Sequence, residues 1–367
     1  MPNQTEREKG VLLVVPCDFK HDNTAEVANA RLQVDILVQS FRTRVLDFPD
    51  TMHSPISKLN SAIAFSSYLF LKGLMGNRFR LLRILSKERG VVWAGFIPIA
   101  IITLFFRFVL KLQYSFIFHT NGYPRCTVPK FLYRLVTPLI FHLSDGVITG
   151  GMNNSRRFVE RYSKRVFLLP PILVETSDFN VSTEERHKLR EMLKLENKIG
   201  VAVIGPFTSH NRPSINYVKK NLDRFDSRIV FVFIGRFFAE DRVSNSRMRF
   251  VGEVNNFAEY LCSLDCALVP IYNKEGAPSS KIVNAMMAGL PVVTDSPENM
   301  RVQHGTEILL GNLDELPDLL NDLVSDEAKM REIGMNARKH VAENYSKEKQ
   351  SESVLRFVRE IAAKEGD

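Results

Sequence analysis

Short apolar runs that end in glycine, proline or a polar residue recur along the whole chain. Runs that are apolar at nearly every position, separated by longer stretches, are typical of buried parallel strands joined by helices. We predict strands in the first half at 11–16, 44–48, 91–93, 115–119 and 146–149, with a further short strand ending at 168–171. In the second half we predict them at 200–205, 228–235, 247–252, 266–271, 290–294 and 307–310. The pattern predicts an α/β protein with two sheet domains.

The polar segment 175–188 separates the two groups of strands and is typical of a domain linker followed by a helix. The chain has 367 residues, about twice the usual size of a domain. We therefore predict an N-terminal domain at 1–172, a second domain at 173–345 and a C-terminal helix with its tail at 346–367. We expect this last helix to pack back across the junction of the domains.

The segment 278–294, PSSKIVNAMMAGLPVVT, predicts an anion site. Ser279 or Ser280 can cap a helix there, and Gly289 stands where a helix commonly ends in a left-handed residue. A strand precedes the helix and another follows it, so the segment reads as a βαβ crossover, whose ligands bind beyond the carboxyl ends of the strands. Amides at a helix start favour an anion, and Lys281 adds a positive charge there. The expected ligand is a phosphate or diphosphate.

Residues 269–300, VPIYNKEGAPSSKIVNAMMAGLPVVTDSPENM, resemble the donor-binding segment of the family 4 retaining glycosyltransferases. Segments 204–235, 247–271 and 307–346 resemble the family in the same order, so the resemblance covers about residues 199–350. It implies the GT-B architecture, two Rossmann-like domains facing a cleft. It also implies transfer of a sugar from a nucleotide-diphosphate donor to a lipid-linked or glycan acceptor, with retention, no cofactor and no metal.

The resemblance also implies site residues. His119, in FIFHTNGYPR at 116–125, is the predicted catalytic residue of the first domain, and Glu275 that of the second. The predicted donor-binding residues are placed near the diphosphate, the base, the ribose and the sugar; they are Gly205, Arg212, Gly252, Val254, Gly276, Ser280, Lys281 and Asn284.

The sequence departs from the family at several of these positions. The family's two glutamates are separated by seven intervening residues and align with Gly276 and Asn284, and Glu275 lies one residue before the first. Pro206 stands at the position of a family arginine, and Arg212 at that of a lysine. These departures leave open a catalytically silent protein that binds a nucleotide sugar or a partner glycosyltransferase. A phosphorylase or a sugar-nucleotide epimerase on the same fold also remains open.

Charge predicts a further partner for the first domain. The net charge is +8, and residues 51–144 carry a single acid, Glu88, against twelve lysines and arginines. Apolar runs alternate with these charges, a combination that suits an anionic membrane surface. One such run, 91–106, is slightly short for a membrane span, and we expect it to form a core helix. We expect no nucleic-acid partner because no recognition motif accompanies the basic region.

The four cysteines have neither metal-ligand spacing nor a secreted disulfide pattern, so we expect reduced, structural thiols. The apolar run 11–16 is too short for the core of a signal peptide, which predicts a cytoplasmic protein.

Overall fold

Two compact units divide the chain. The first contains Met1–Leu173 and Gln350–Asp367, and the second contains Val174–Lys349. The computed structural model describes residues 10–15, 37, 42–47, 90–94, 97–120, 130–149, 159–163, 165–168, 173–207, 212–242, 245–270, 279–297 and 300–363. The chain leaves the first unit after Leu173, and the polar segment 175–188 lies in the second unit.

The first unit contains a six-stranded parallel sheet with the strand order β2-β1-β3-β4-β5-β6. Its strands are β1 (Gly10–Val15), β2 (Arg42–Asp47), β3 (Val91–Ala94), β4 (Ser115–Thr120), β5 (Gly146–Thr149) and β6 (Val166–Leu168). Helix α1 (Ile97–Val109) joins β3 to β4, and α2 (Lys130–Leu143) joins β4 to β5. A parallel sheet is covered on both faces, and the side chains of each strand alternate between these faces. Each strand therefore buries residues against helices on both sides.

Alternating residues of these strands pack against different helices. Val92, Phe116 and Val147 form one core cluster with Leu104 of α1 and Phe141 of α2. Trp93, Ile117 and Ile148 point to the opposite face, where they pack with Val354, Phe357 and Ile361 of the last helix. That helix, α9 (Lys347–Ala362), begins in the second unit and continues into the first, where Ser115 Oγ donates a hydrogen bond to the Ile361 carbonyl at 3.1 Å.

The second unit contains another six-stranded parallel sheet, with the order β12-β11-β10-β7-β8-β9. Its strands are β7 (Ile199–Ile204), β8 (Ile229–Ile234), β9 (Met248–Gly252), β10 (Cys266–Val269), β11 (Val292–Thr294) and β12 (Leu309–Leu310). Its helices are α3 (Thr183–Met192), α4 (Arg212–Asn221), α5 (Phe257–Cys262), α6 (Ser280–Met287), α7 (Leu316–Ser325) and α8 (Glu327–Asn344). All six residues of β8 are buried, as its continuous apolar run predicts.

Local sequence signals explain where several helices begin. Ser182 and Glu185 form a reciprocal capping box at the start of α3, and the Asp326 side chain accepts a hydrogen bond from the Lys329 amide at the start of α8. Short 3₁₀ helices occur at Thr176–Phe179, Leu222–Arg224 and Ala239–Asp241.

The twelve described strands confirm the predicted α/β class with two parallel sheets. The last helix also packs onto the first unit as predicted. The prediction for the run 91–106 was only partly right. Residues 91–94 form β3 and residues 97–106 lie in α1, which buries one face and exposes apolar side chains on the other. Among the described residues, no helix is both long enough and apolar enough to span a membrane.

Helix α8 approaches the turn between α6 and β11 so closely that only glycine fits at Gly334. A methyl group there would lie far inside van der Waals contact of the Gly289 carbonyl oxygen and 3.3 Å from Pro291 Cδ. Gly334→Ala therefore lowers the free energy of unfolding by about 1–3 kcal/mol, although alanine is the better helix former. Urea denaturation measures this change. Met335→Ala, at the exposed neighbouring position of the same helix, is the matched control. Increased stability of Gly334→Ala would contradict the close approach.

Candidate functional site

The strand order of the second sheet determines where a ligand should bind. Reading β9-β8-β7-β10-β11-β12, the sheet has the strand order of the classic dinucleotide-binding fold. The order reverses between β7 and β10, because the chain continues from β7 to β8 on one side and later resumes at β10 on the other. In open α/β sheets, ligands bind in the crevice at such a reversal, beyond the carboxyl ends of the two strands.

Helix α6 begins beyond β10, on one side of this crevice. Ser279 is its N-cap residue, with extended backbone, and its side chain makes no capping hydrogen bond. Of the two predicted caps, Ser279 has the backbone conformation of an N-cap residue but not its side-chain hydrogen bond. Ser280 is the first helical residue and is exposed. The first-turn amides of a helix have no carbonyl partner within it, so this end attracts an anion. Gly289, with φ of +80°, follows the end of the helix in the left-handed conformation that its sequence predicts.

Lys281 lies in the first turn of α6 and is partly exposed. Its charge adds to the positive end of the helix dipole, as the sequence predicts. The other predicted cation, Arg212, is the first residue of α4, the helix that follows β7 on the opposite side of the crevice. Two helix starts, each with a basic residue, thus follow the two strands at which the order reverses.

Asn284 lies one turn after Ser280, and one end of its side chain already makes a hydrogen bond within the helix. Its amide nitrogen donates a hydrogen bond of 2.7 Å to the Ser280 carbonyl. This bond orients the side chain along the helix and leaves the carbonyl oxygen Oδ1 to accept a hydrogen bond from a hydroxyl group. The predicted ribose contact would therefore use Oδ1.

Three glycines line the carboxyl edge of the neighbouring strands. Gly205 follows β7, Gly235 follows β8 with φ of +128°, and Gly252 ends β9 with φ of +92°. A methyl group on Gly235 would lie 3.0 Å from the Gly205 α-carbon, so these backbones touch. Among the described residues other than its chain neighbours, none has an atom within 4 Å of the position that a methyl group on Gly252 would occupy. This edge accordingly has room for a flat group to approach the backbone near Gly252 and the half-buried Val254.

Sequence reasoning missed two features of this edge. Gly235 was not among the predicted site residues, although its signal was present, a glycine at the end of a continuous apolar run. Arg236 and Glu253 form an exposed ion pair at 3.1 Å beside it. The Arg236 carbonyl also accepts a hydrogen bond from the Phe207 amide at 2.7 Å, which holds the segments after β7 and β8 together.

The predicted residues Glu275 and Gly276 lie outside the described residues, in the segment 271–278 between β10 and α6. Of the two positions at which the family carries glutamates, the structure therefore describes only Asn284, on α6.

His119 lies near the carboxyl end of β4 in the first unit and is 7% exposed. The first sheet has the strand order 2-1-3-4-5 of the flavodoxin-like fold, followed by β6, and its order reverses between β1 and β3. Trp93 of β3 meets the His119 ring edge to face, with ring centroids 5.8 Å apart. In the sheet register His119 pairs with Ile148 of β5. These contacts hold the imidazole one strand away from the point at which ligands of such sheets bind.

Cys262 and Cys266 are buried and form no disulfide, in agreement with the predicted structural thiols; Cys17 and Cys126 lie outside the described residues. Burial raises the pKa of both described thiols above its usual value, which makes them poor nucleophiles. In the described part of the chain no three His, Cys, Asp or Glu residues are grouped as metal ligands would be.

The chain is similar to known proteins in part of its sequence and in its fold. Residues 198–326 match the model of the family described as "Glycosyl transferases group 1". No curated protein sequence matches the chain. Several solved structures share its fold over nearly the whole length.

HepE of Anabaena, solved with UDP and also with UDP-glucose, has a TM-score of 0.70 at 15% identity and covers 96% of this chain and 100% of its own. Sucrose-phosphate synthase from Thermosynechococcus elongatus has a TM-score of 0.71 at 14% identity, with 97% and 100% covered. WaaG, a glycosyltransferase involved in lipopolysaccharide biosynthesis, has a TM-score of 0.59 at 13% identity, with 94% and 99% covered. Residues 198–326 of the second unit are thus similar to a group 1 glycosyl transferase domain, and the chain has the GT-B fold that its sequence predicts.

Proposed function

We propose that this protein transfers a sugar from a nucleotide-diphosphate donor to an acceptor hydroxyl of a lipid-linked or glycan substrate. The observation that carries the proposal is the carboxyl edge of the second sheet, where the helix starts at Arg212 and Lys281 follow the two strands of the reversal point. A diphosphate carries the charge that such a site attracts. The open backbone at Gly252 suits a flat base beside it.

The chemistry assigned to these residues is stabilisation of the leaving group. When the bond between the sugar and the diphosphate breaks, negative charge grows on the phosphate oxygen that leaves. Lys281 and the first-turn amides of α6 would stabilise this charge, and Arg212 would bind phosphate oxygens in pairs. Since these groups are held by helices that follow buried strands, they need little rearrangement as the charge develops.

Roles for the sugar and its stereochemistry rest on the resemblance to the family. It implies retention of configuration and no metal or cofactor, and it assigns contacts with the sugar to His119, Glu275 and Gly276. Asn284 would accept a hydrogen bond from a ribose hydroxyl through Oδ1, because its amide nitrogen is already bonded to Ser280. The cytoplasmic location stays a prediction.

A second candidate is a silent protein that binds the nucleotide sugar without turnover. It is favoured by the sequence, which places Gly276 and Asn284 where the family has acids. Asn284 is neutral and partly committed to the helix backbone, so it cannot supply the charge of a carboxylate.

A donor panel separates the two candidates. We expect calorimetry with UDP-, GDP- and ADP-sugars to find one that binds, and mass spectrometry to find its sugar on an acceptor or released by water. Binding without any product over lipid and glycan acceptors would favour the silent protein. No binding of any nucleotide sugar would refute both. A changed sugar still attached to the nucleotide would indicate an epimerase, and a sugar phosphate formed with added phosphate would indicate a phosphorylase.

A further inference from the structure

Large apolar side chains are exposed on helix α1 and the turn that follows it, and one more is exposed on the neighbouring helix α2. We call these side chains the outer face; they are Ile101, Phe105, Phe108, Val109, Leu110 and Leu139. Phe105 and Phe108 are each 55% exposed and Val109 is 60% exposed. Only three other large apolar side chains among the described residues are comparably exposed: Met192, Phe238 and Met335. An exposed cluster of this kind marks an interaction site.

The helix that carries most of the outer face is apolar on its other side as well. Ala100 and Leu104 of α1 pack into the core with the first sheet, while Ile101, Phe105 and Phe108 follow one another at helical spacing on the exposed side. A helix that is apolar all round normally lies wholly inside a protein or a membrane. The packed side holds α1 against the sheet, so the outer face is presented as a rigid surface.

The stretch of sequence that carries the outer face is basic. No aspartate or glutamate occurs between Glu88 and Asp145, whereas this interval contains Arg89, Arg107, Lys111, Arg125, Lys130 and Arg134. Arg107 is already used within the fold, since it forms an ion pair of 2.7 Å with Asp145 and lies over the Tyr114 ring. Lys111 follows the helix end directly, is exposed, and has a left-handed backbone with φ of +50°.

Apolar side chains beside the exposed Lys111, in a stretch of sequence without acids, identify the partner by its chemistry. An anionic bilayer offers acyl chains to the apolar side chains and phosphate groups to the positive charge. A second copy of this chain fits less well, because a symmetric dimer through the outer face would bring two identical basic surfaces together. No described helix is long and apolar enough to span a membrane.

We infer that the outer face docks the protein on an anionic membrane surface, with Phe105 and Phe108 entering the boundary of the acyl chains and Lys111 contacting headgroups. This membrane contact goes beyond the proposed reaction and holds equally for an active and a silent protein. Its partner is the bilayer itself, so it can be tested without knowledge of donor or acceptor.

Flotation with phosphatidylglycerol–phosphatidylcholine vesicles tests the inference. We expect the full-length protein to float with these vesicles at low salt, to bind less at high salt, and to bind weakly to phosphatidylcholine alone. The double variant Phe105→Ser/Phe108→Ser should reduce the partition coefficient by about tenfold or more. Lys111→Asn, which removes the charge but tolerates the left-handed backbone, should reduce it by about fivefold.

Met335→Ser is the matched control, because this side chain is 67% exposed and lies in the second unit. It should leave flotation unchanged, and thermal melting should show that all variants remain folded. Unchanged flotation of the double variant, or equal flotation with uncharged vesicles, would overturn the inference. A dimer that light scattering detects for the wild-type protein but not for the double variant would also overturn the inference, because it would identify a second copy as the occupant.

Discussion

Lys281→Ala lowers kcat/KM for the nucleotide-sugar donor by about 10²–10³-fold. Lys281 supplies a full positive charge in the first turn of α6, at the helix end that already attracts an anion. The charge on the leaving diphosphate is greatest in the transition state, so the loss falls on turnover more than on donor binding. Steady-state kinetics with the donor identified in the panel measures this change, and calorimetry with the nucleoside diphosphate measures binding separately.

Lys220→Ala is the matched control for this substitution. Lys220 is an exposed lysine of the same unit in the last turn of α4, away from the end of the helix at which Arg212 lies. It should change kcat/KM by less than about twofold, because exposed charges away from a site contribute little. Lys281→Arg keeps the positive charge and should retain more activity than Lys281→Ala. If Lys281→Ala were as active as the wild-type protein, the phosphate role of this residue would be excluded, whereas donor binding elsewhere could persist.

The sheet architecture was predictable because each strand is short, apolar at most positions and followed by a breaking residue. Gly235 and Gly252 end such runs, and Leu290 and Pro291 introduce another. In parallel sheets covered on both faces this pattern has few alternatives. Boundaries were less predictable. The strand predicted at 290–294 is limited to Val292–Thr294, since pairing with a neighbouring strand, rather than apolar character, decides where a strand begins.

Parts of the candidate site depend on contacts that no local pattern encodes. The approach of Gly235 to Gly205 joins residues 30 positions apart, through the pairing of β7 and β8. The hydrogen bond from Asn284 to the Ser280 carbonyl depends on a rotamer. Similarly, the sequence does not say which side of α1 remains outside, because both sides are apolar and only packing against the sheet distinguishes Leu104 from Phe105.

The departure from the family pattern at Asn284 changes the charge and the acceptor atoms that this side chain offers a ligand. A glutamate at this position would present two acceptor oxygens and a negative charge to the ligand. Asn284 gives its amide nitrogen to the backbone and retains one oxygen. Asn284 therefore keeps an acceptor for a ribose hydroxyl and lacks the charge of the family's glutamate. For this reason donor binding and turnover are measured separately in the experiments on the donor site.

His119→Ala lowers kcat by about 10²–10³-fold and leaves the affinity for the nucleoside diphosphate unchanged. The reason for the first effect is the proposed contact of the imidazole with the sugar, which becomes productive only with precise positioning. The second follows because His119 belongs to the first unit, while the predicted diphosphate residues Arg212 and Lys281 belong to the second. Single-turnover kinetics and calorimetry with UDP or the preferred nucleoside diphosphate measure the two effects.

A purely structural role for His119 predicts that its removal lowers stability without lowering turnover. The imidazole is buried against Trp93, so its removal leaves a cavity and lowers stability by about 1–3 kcal/mol whether or not it takes part in the reaction. Ile148→Val is the matched control, because Ile148 is the register partner of His119 in β5 and is fully buried. It should cost about 0.5–1.5 kcal/mol in stability without changing kcat. A His119→Ala protein that is destabilised but turns over at the wild-type rate would assign this residue to the core alone, whereas loss of turnover in a folded protein with intact diphosphate binding assigns it to the reaction.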